Sequence, residues 1–281
     1  MENILYFDIN SGISGDMTIA SLLDLGVDQD NFLEELKKLK LNGYQLEISK
    51  VKKNGITATD FKVILEDESH PDHVENEGHH KSEHSHSENE THHKHSDHSH
   101  KHESSHLHRN FNDIKELINQ SDLSRKVKDL SIDIFAKVAE AEAKVHDKDI
   151  NEVHFHEVGA VDSIIDIVGT SILVEMLNPD HIYASAVSLG TGFVDAAHGR
   201  IPVPAPATIE ILKDVPVYST GVRGELVTPT GAAIIKTLAE EFIELPELEI
   251  TKIAYGAGKK DFEITNLLRV YQAKKKTKKS Y

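Results

Sequence analysis

Apolar residues along this chain fall into short blocks whose spacing changes from segment to segment. Ile4-Leu5-Tyr6-Phe7-Asp8-Ile9 is a nearly unbroken apolar run, Asn10-Ser11-Gly12-Ile13-Ser14-Gly15-Asp16 is a glycine-bearing stretch, and Met17 to Leu25 is apolar again. That order predicts a buried strand, a turn and a helix. A second helix is expected over Asp30–Leu39. Tyr44–Val51 and Thr57–Leu65 alternate apolar and polar positions around Lys53-Asn54-Gly55. Asn-Gly supplies the positive φ angles of a tight turn, so a β-hairpin is expected there.

Periodicity then disappears. Residues 66–109 are almost entirely His, Glu, Ser, Asp, Lys and Asn, with too little apolar surface to offset the entropy of ordering them. A disordered insert is expected. Beyond it, Phe111–Asn119 and Leu123–His146 read as helices, the second with Val127, Leu130, Ile134, Val138 and Ala141 on one face. Asn151–Glu157 alternates Val153 and Phe155 with His154 and His156, and Gly159 opens a helix whose Asp162 and Asp166 share a face. Strands are expected over His181–Leu189, around Phe193, near Leu248–Tyr255 and over Leu267–Gln272. A short helix is expected over Ala207–Leu212. Another, capped by Thr228 with Pro229 at its first position, is expected to run through Phe242.

The mixture predicts an α+β fold, with mixed sheets and packed helices interrupted by the insert. The organisation expected is an N-terminal α/β segment (1–65), a histidine-rich metal-binding insert (66–109), a main α+β region packing against the first (110–273) and a basic tail (274–281).

Composition narrows the function. The 281 residues include 31 basic and 47 acidic side chains, a formal net charge of −16, which argues against a nucleic-acid partner. There is no cysteine, so thiolate metal sites, iron–sulfur clusters and cysteine nucleophiles are excluded. A basic leader and an apolar run of membrane-spanning length are both missing, so no membrane partner and a cytoplasmic location are expected.

Of the 19 histidines, 14 lie between His70 and His108. Neutral imidazoles suit Ni²⁺, Zn²⁺ and Cu²⁺. His79, His80, His84, His86, His92, His93, His95, His98, His100 and His102 offer overlapping, exchangeable sites, which suits collection and delivery better than catalysis. A polar linker with incidental affinity is the plainer alternative.

A second constellation is His154-Phe155-His156-Glu157 with Asp162 and Asp166. On an extended segment the two imidazoles project from one face about 6.5–7 Å apart. The i,i+4 acid pair is unfavourable by roughly 0.2–0.5 kcal/mol unless a cation or donors lie between its members. The alternative is a helix start favoured by its dipole beside two histidines satisfied in a sheet. Asp8 and Asp16 flank the first glycine loop, where carboxylates commonly face a ligand crevice, or Asp16 simply caps. The backbone of Ser11, Gly12, Ser14 and Gly15 could cradle a phosphate at a helix N-terminus. His198 with Arg200, Arg223, and Lys259 beside Gly256 and Gly258 are further anion-binding candidates. Neither a Gly-x-Ser-x-Gly elbow nor a His-Glu-x-x-His helix occurs.

These pieces resemble one family, the LarC nickel-insertion proteins that mature the nickel-pincer cofactor of lactate racemase. The resemblance rests on Asp8-Ile9-Asn10-Ser11-Gly12-Ile13-Ser14-Gly15-Asp16-Met17, the histidine-rich insert and His154 to Asp166. It rests as well on Gly190-Thr191-Gly192 to Pro206, Thr228-Pro229-Thr230-Gly231 and Tyr255-Gly256-Ala257-Gly258. It implies a lyase-class cyclometallase that places Ni²⁺ into pyridinium-3,5-bisthiocarboxylic acid mononucleotide, assisted by CTP with Mn²⁺ or Mg²⁺, with a nickel-pincer-dependent enzyme as recipient. Such proteins usually continue into a further C-terminal domain, with which the resemblance associates the nucleotide-dependent step. The ending Lys274 to Tyr281 looks out of register, so a C-terminal partner or a frameshifted full-length product is expected, and self-association into a homo-oligomer stays open.

On that reading His154, His156, Glu157, Asp8 and Asp16 are the catalytic candidates. Ser11, Gly12, Ser14, Gly15, His198, Arg200 and Lys259 bind cofactor or substrate, and Asp162 and Asp166 join the histidines as metal ligands. Non-catalytic nickel or zinc storage is the alternative function, and a metal-dependent phosphotransfer enzyme is a third.

Overall fold

A computed structural model describes residues 1–66, 109–153, 155, 161–196 and 199–275. The expected insert lies almost wholly outside these, as does most of the basic tail. In chain order the first elements are β1 (Glu2–Asp8), α1 (Gly15–Asp24), α2 (Gln29–Lys37), β2 (Tyr44–Lys53), β3 (Ile56–Leu65), α3 (Phe111–Gln120), α4 (Arg125–His146) and α5 (Val161–Leu177). There follow β4 (His181–Ala184), β5 (Val187–Thr191), β6 (Phe193–Ala196), β7 (Gly199–Pro202), α6 (Pro206–Ile211), β8 (Val217–Arg223), α7 (Pro229–Leu238), β9 (Glu241–Phe242), β10 (Glu249–Ala257) and β11 (Leu267–Lys275).

The fold is α+β. Its main sheet has the order β2-β3-β10-β11-β1-β4-β9. Strand β1 runs antiparallel to β11, with Tyr6 opposite Tyr271, and parallel to β4, with Ile4 opposite His181. Both edges are therefore paired, and every residue from Ile4 to Asp8 is buried, which is why the segment reads as an apolar run and not as an alternation. Leu5, Phe7 and Ile9 enter the principal core with Phe32, Phe61, Phe135 and the apolar faces of α1, α4, α5 and α7. Ile4 and Tyr6 point the other way, into a small cluster with Tyr183, Tyr271 and Ala273.

Turn chemistry sets the hairpin. Asn54 at φ 47° and Gly55 at φ 83° join β2 to β3 in continuous register from Lys53/Ile56 to Tyr44/Leu65.

Three expectations are corrected. Helix α1 begins at Gly15, two residues earlier than the apolar block suggests, with Ser14 as N-cap residue. The strand expected over His181–Leu189 is two strands in different sheets. At the break the Ser185 amide donates to the Phe7 carbonyl at 2.9 Å and its hydroxyl accepts from the Ile9 amide at 2.9 Å. The helix expected to reach Phe242 stops at Leu238. There the Glu240 amide donates to the Ile182 carbonyl at 2.9 Å and the Ile243 amide to the Ala184 carbonyl at 2.8 Å, so bonding to β4 draws the chain into the sheet as β9.

Helix α1 lies against β10 so closely that a Cβ on Gly256 would collide with the Met17 carbonyl oxygen and stand 2.8 Å from the Ser21 amide nitrogen. Gly256→Ala is expected to force the layers apart and destabilise the protein by about 1–3 kcal/mol, measured as a lower urea midpoint with an unchanged slope.

Candidate functional site

The site is built where two loops that start helices are tied together. After β1 the chain turns at Gly12 and reaches Ser14. After β8 it runs through Leu226 and Val227 to Thr228. The Ile13 amide donates to the Leu226 carbonyl at 2.9 Å and the Thr228 amide to the Ile13 carbonyl at 3.2 Å, a parallel bridge between Ile13 and Val227. This brings the starts of α1 and α7 side by side. The Thr228 hydroxyl accepts from the Gly231 amide at 3.1 Å, and Pro229 takes the first helical position, where its missing N–H costs nothing.

Together with the first turn of α5 these helix starts line a cleft of about 460 Å³. Its polar walls include Ser14, Asp16, Asp162, Ser163, Asp166, Glu225, Thr230 and Lys259. Helix N-termini carry partial positive charge, and the cleft sets carboxyl groups beside them. Asp16 accepts from the Ser14 hydroxyl and, at 2.9 Å, from the Met17 amide. Lys259, leaving the end of β10, pairs with Asp60 of β3, donates to the Phe61 carbonyl at 2.7 Å and lies 3.7 Å from Asp16.

Asp166 is the least satisfied group. Its side chain crosses under α1 at Gly15, where a Cβ would stand 2.6 Å from the Asp166 Cβ and 2.7 Å from its Cγ, so only glycine leaves room for the acid. Its Oδ1 is sealed from solvent without a hydrogen-bond partner. Burial, and then the nearby Asp16 and Asp162 charges, push its pKa well above the ordinary carboxylate range. Burial raises Asp16 as well, against the lowering effects of Ser14 and Lys259.

Asp8 lies elsewhere. Its Oδ2 accepts from Arg269 of β11, through Nη2 and, at 2.9 Å, through Nε, and from the Tyr271 hydroxyl at 3.2 Å; Asn10 donates to its Oδ1. It faces a separate hollow of about 290 Å³ with Tyr6, Asn10, Ser185 and Tyr218, where burial and the Asp8 charge hold Tyr6 up at about 12. The structure therefore brings Asp16, Asp162, Asp166, Ser14, Gly15 and Lys259 together and sets Asp8 apart.

Ser11 and Gly12 are not cleft-lining residues, because the Gly12 amide turns back to the Ile9 carbonyl at 3.3 Å. Arg200 sits on the β6–β7 hairpin with its guanidinium 5.1 Å from the Phe193 ring centre, and is not a cleft-lining residue either. His154, His156, Glu157, His198 and the ten insert histidines lie outside the described residues. Between the paired histidines, Phe155 is buried, 6.3 Å from Phe135 between ring centres, and its amide donates to the Arg109 carbonyl at 3.2 Å. Among the described residues no group of three or more His, Asp or Glu side chains is placed to hold a metal ion unaided.

The sequence profile of the family described as "Nickel insertion protein" matches residues 5–281. The chain is 57% identical over 269 residues to the pyridinium-3,5-bisthiocarboxylic acid mononucleotide nickel insertion protein of Clostridium acetobutylicum, covering 95% of this chain and 63% of that one. It is 49% identical to the protein of the same name from Clostridium kluyveri, over 95% of this chain and 61% of the relative. The Acetivibrio thermocellus counterpart is 43% identical, with coverage of 95% and 59%. The chain belongs to the nickel insertion protein family. It spans about three fifths of the length of these relatives. No solved structure matches it. Among the described residues no helix is long and apolar enough to cross a membrane.

For this member of the family, sequence reasoning passed over Asp60, Ser163, Glu225 and Thr230. Thr230 stood in view as part of a helix-start motif, and Glu225 followed a glycine in a flagged loop. Asp60 gave no signal beyond an alternating strand position, since only the β3–β10 pairing at Thr59/Gly256 sets it beside Lys259.

Two outcomes follow from these electrostatics. Asp16 and Asp166 both have raised native pKa values, so folding is favoured while they stay protonated. Their contribution is complete below about pH 4, the unfolded carboxylate value, and is lost as pH rises through the higher native values. In thermal melts of chelator-treated protein, Asp166→Asn is expected to flatten this decline and to melt no lower than the wild type at pH 7. Removing the Asp8 counter-ion acts oppositely: Arg269→Ala leaves a buried carboxylate without its charged donor and is expected to cost about 2 kcal/mol in denaturant unfolding.

Proposed function

We propose that this chain acts in the insertion of Ni²⁺ into pyridinium-3,5-bisthiocarboxylic acid mononucleotide, as the names of its relatives state for them. The observation that carries this reading is 57% identity to one such protein across 95% of the chain. Those names favour insertion over storage of nickel or zinc. The chemistry suits it, because imidazole and carboxylate ligands hold Ni²⁺ exchangeably, and a chain without cysteine offers no thiolate to compete with the sulfur atoms of the acceptor.

In this reading Ni²⁺ is cargo. Forming the nickel–carbon bond releases the ring proton, and the two thiocarboxylates supply the nickel–sulfur bonds. His154 or His156 would accept that proton, imidazole being the side chain suited to general base work near neutral pH. Asp16, Asp162 and Asp166 would supply negative charge that draws the cation toward the acceptor, and Lys259 would face the acceptor's phosphate. Assistance by CTP with Mn²⁺ or Mg²⁺, a lyase-class assignment and a nickel-pincer-dependent enzyme as recipient belong to the same proposal.

The test is reconstitution. Purified chain mixed with Ni²⁺, CTP, Mn²⁺ and the dithio-mononucleotide, alone and with the remaining portion of a relative, is expected to give a product whose mass and absorbance report a nickel–carbon bond. The double change His154→Ala/His156→Ala is expected to lower the initial rate of product formation at least about a hundredfold, the lower end of the range for general base catalysis. Absence of product in both mixtures would reduce the chain to nickel binding.

A further inference from the structure

The main sheet buries one face and leaves the other only partly covered. Helices α1, α5 and α7 pack on it from the side of Leu5, Phe7, Ala254 and Val270, which enter the principal core. Side chains alternate across a strand. The opposite face therefore carries Ile253, Tyr271, Tyr6 and Tyr183, which the strand register sets side by side on β10, β11, β1 and β4. Ile250, Ala273 and Ile4 form the next row. A sheet that turns one face to water is expected to place polar residues there, but these rows are apolar.

The segment 243–248, between β9 and β10, covers part of this outer face. Ile243 and Leu248 pack on the tyrosine cluster, and the Tyr6 hydroxyl donates to the Ile243 carbonyl at 2.9 Å. Beyond that segment the cover ends, and Ile253 is 50% and Ile250 40% exposed. Ile56 of β3 is 41% exposed. It precedes Thr59 by three residues, as Ile253 precedes Gly256, and Thr59 pairs with Gly256, so Ile56 stands on the same face. Past these isoleucines, Val51, Ala58, Tyr255, Ala257 and Leu267 form a further apolar cluster. Single exposed apolar side chains need no explanation, but a set of them joining two apolar clusters marks an interaction surface.

Two observations identify what covers it. The relatives are longer, since this chain spans 63%, 61% and 59% of the three compared above. The β1–β11 ladder ends on the pair Glu2 and Lys275, whose side chains share the outer face, and the Lys275 ammonium lies 5.6 Å from the Tyr183 ring centre. Additional chain joined at either end therefore starts beside this face. A second copy fits less well. Glu240, Glu241, Glu244, Glu247 and Glu249 border the face in a chain of net charge −16, and a copy would set like charges against one another.

We infer that the outer face of the main sheet is the docking surface for the part of the longer relatives that this chain does not span, whether supplied as continuing chain or as a separate polypeptide. The docking partner presents an apolar centre with a rim of lysine or arginine. This concerns assembly and stands apart from the chemistry of the cleft.

Thiol labelling, read peptide by peptide in a mass spectrometer, measures access to the face. Ile253→Cys gives this chain a single thiol, since the sequence has no cysteine, and the aligned position is changed to cysteine in the whole Clostridium acetobutylicum relative. Val145→Cys, at an exposed position of α4, and its counterpart in the relative serve as the control. Unchanged circular dichroism verifies the fold of each variant. The thiol at position 253 is expected to react freely in this chain and at least about tenfold more slowly in the relative, a factor equivalent to about 1.4 kcal/mol of docking. The control is expected to react alike in both. Equal rates at position 253 in the two proteins, or equal slowing at the control, overturn the inference. So does labelling of this chain alone that slows as its concentration rises, which assigns the face to a second copy.

Discussion

The carboxylate of Asp166 beneath Gly15 is the contact around which the site is arranged. An acid on α5 flanked by Ile164, Ile165, Ile167 and Val168 in the core opposes folding through desolvation. It is accommodated only because α1 offers a residue without a side chain at the crossing. The cleft opens where the two helices cross at Gly15 and Asp166.

The parallel bridge between Ile13 and Val227 supplies the other half of the arrangement. It joins segments more than two hundred residues apart and points two helix starts into the space that Asp166 borders. The cost of acidic burial and the attraction of helix N-termini for negative charge therefore act in one cleft with opposite sign.

Asp8 shows how a similar local pattern reaches a different end. Like Asp16 it stands beside the first glycine loop, but β11 presents Arg269 and Tyr271 directly across from β1, and Asn10 takes the remaining oxygen. Its lone pairs are occupied and its charge is balanced. Asp16 meets a serine hydroxyl, one amide and a lysine shared with Asp60, which leaves its burial only partly compensated. The difference lies in the residues brought opposite each acid by strand pairing.

Local chemistry was enough to read the buried first strand, the Asn-Gly hairpin, the helix started by Thr228 and Pro229, and the α+β class, because period, turn residues and caps act over a few neighbouring positions. The motifs that place the chain in its family, from Asp8 to Met17 and from His154 to Asp166, were likewise visible as written. Tertiary structure alone decided that Asp16 and Asp166 share a cleft while Asp8 does not. It also decided that His181–Leu189 divides between two sheets, that the seventh helix ends at Leu238 and the chain enters the sheet as β9, and that Asp60, Glu225 and Lys259 converge near the same acids. Each of these depends on which distant backbone offers a hydrogen bond or a counter-charge, and that information is spread over the whole chain.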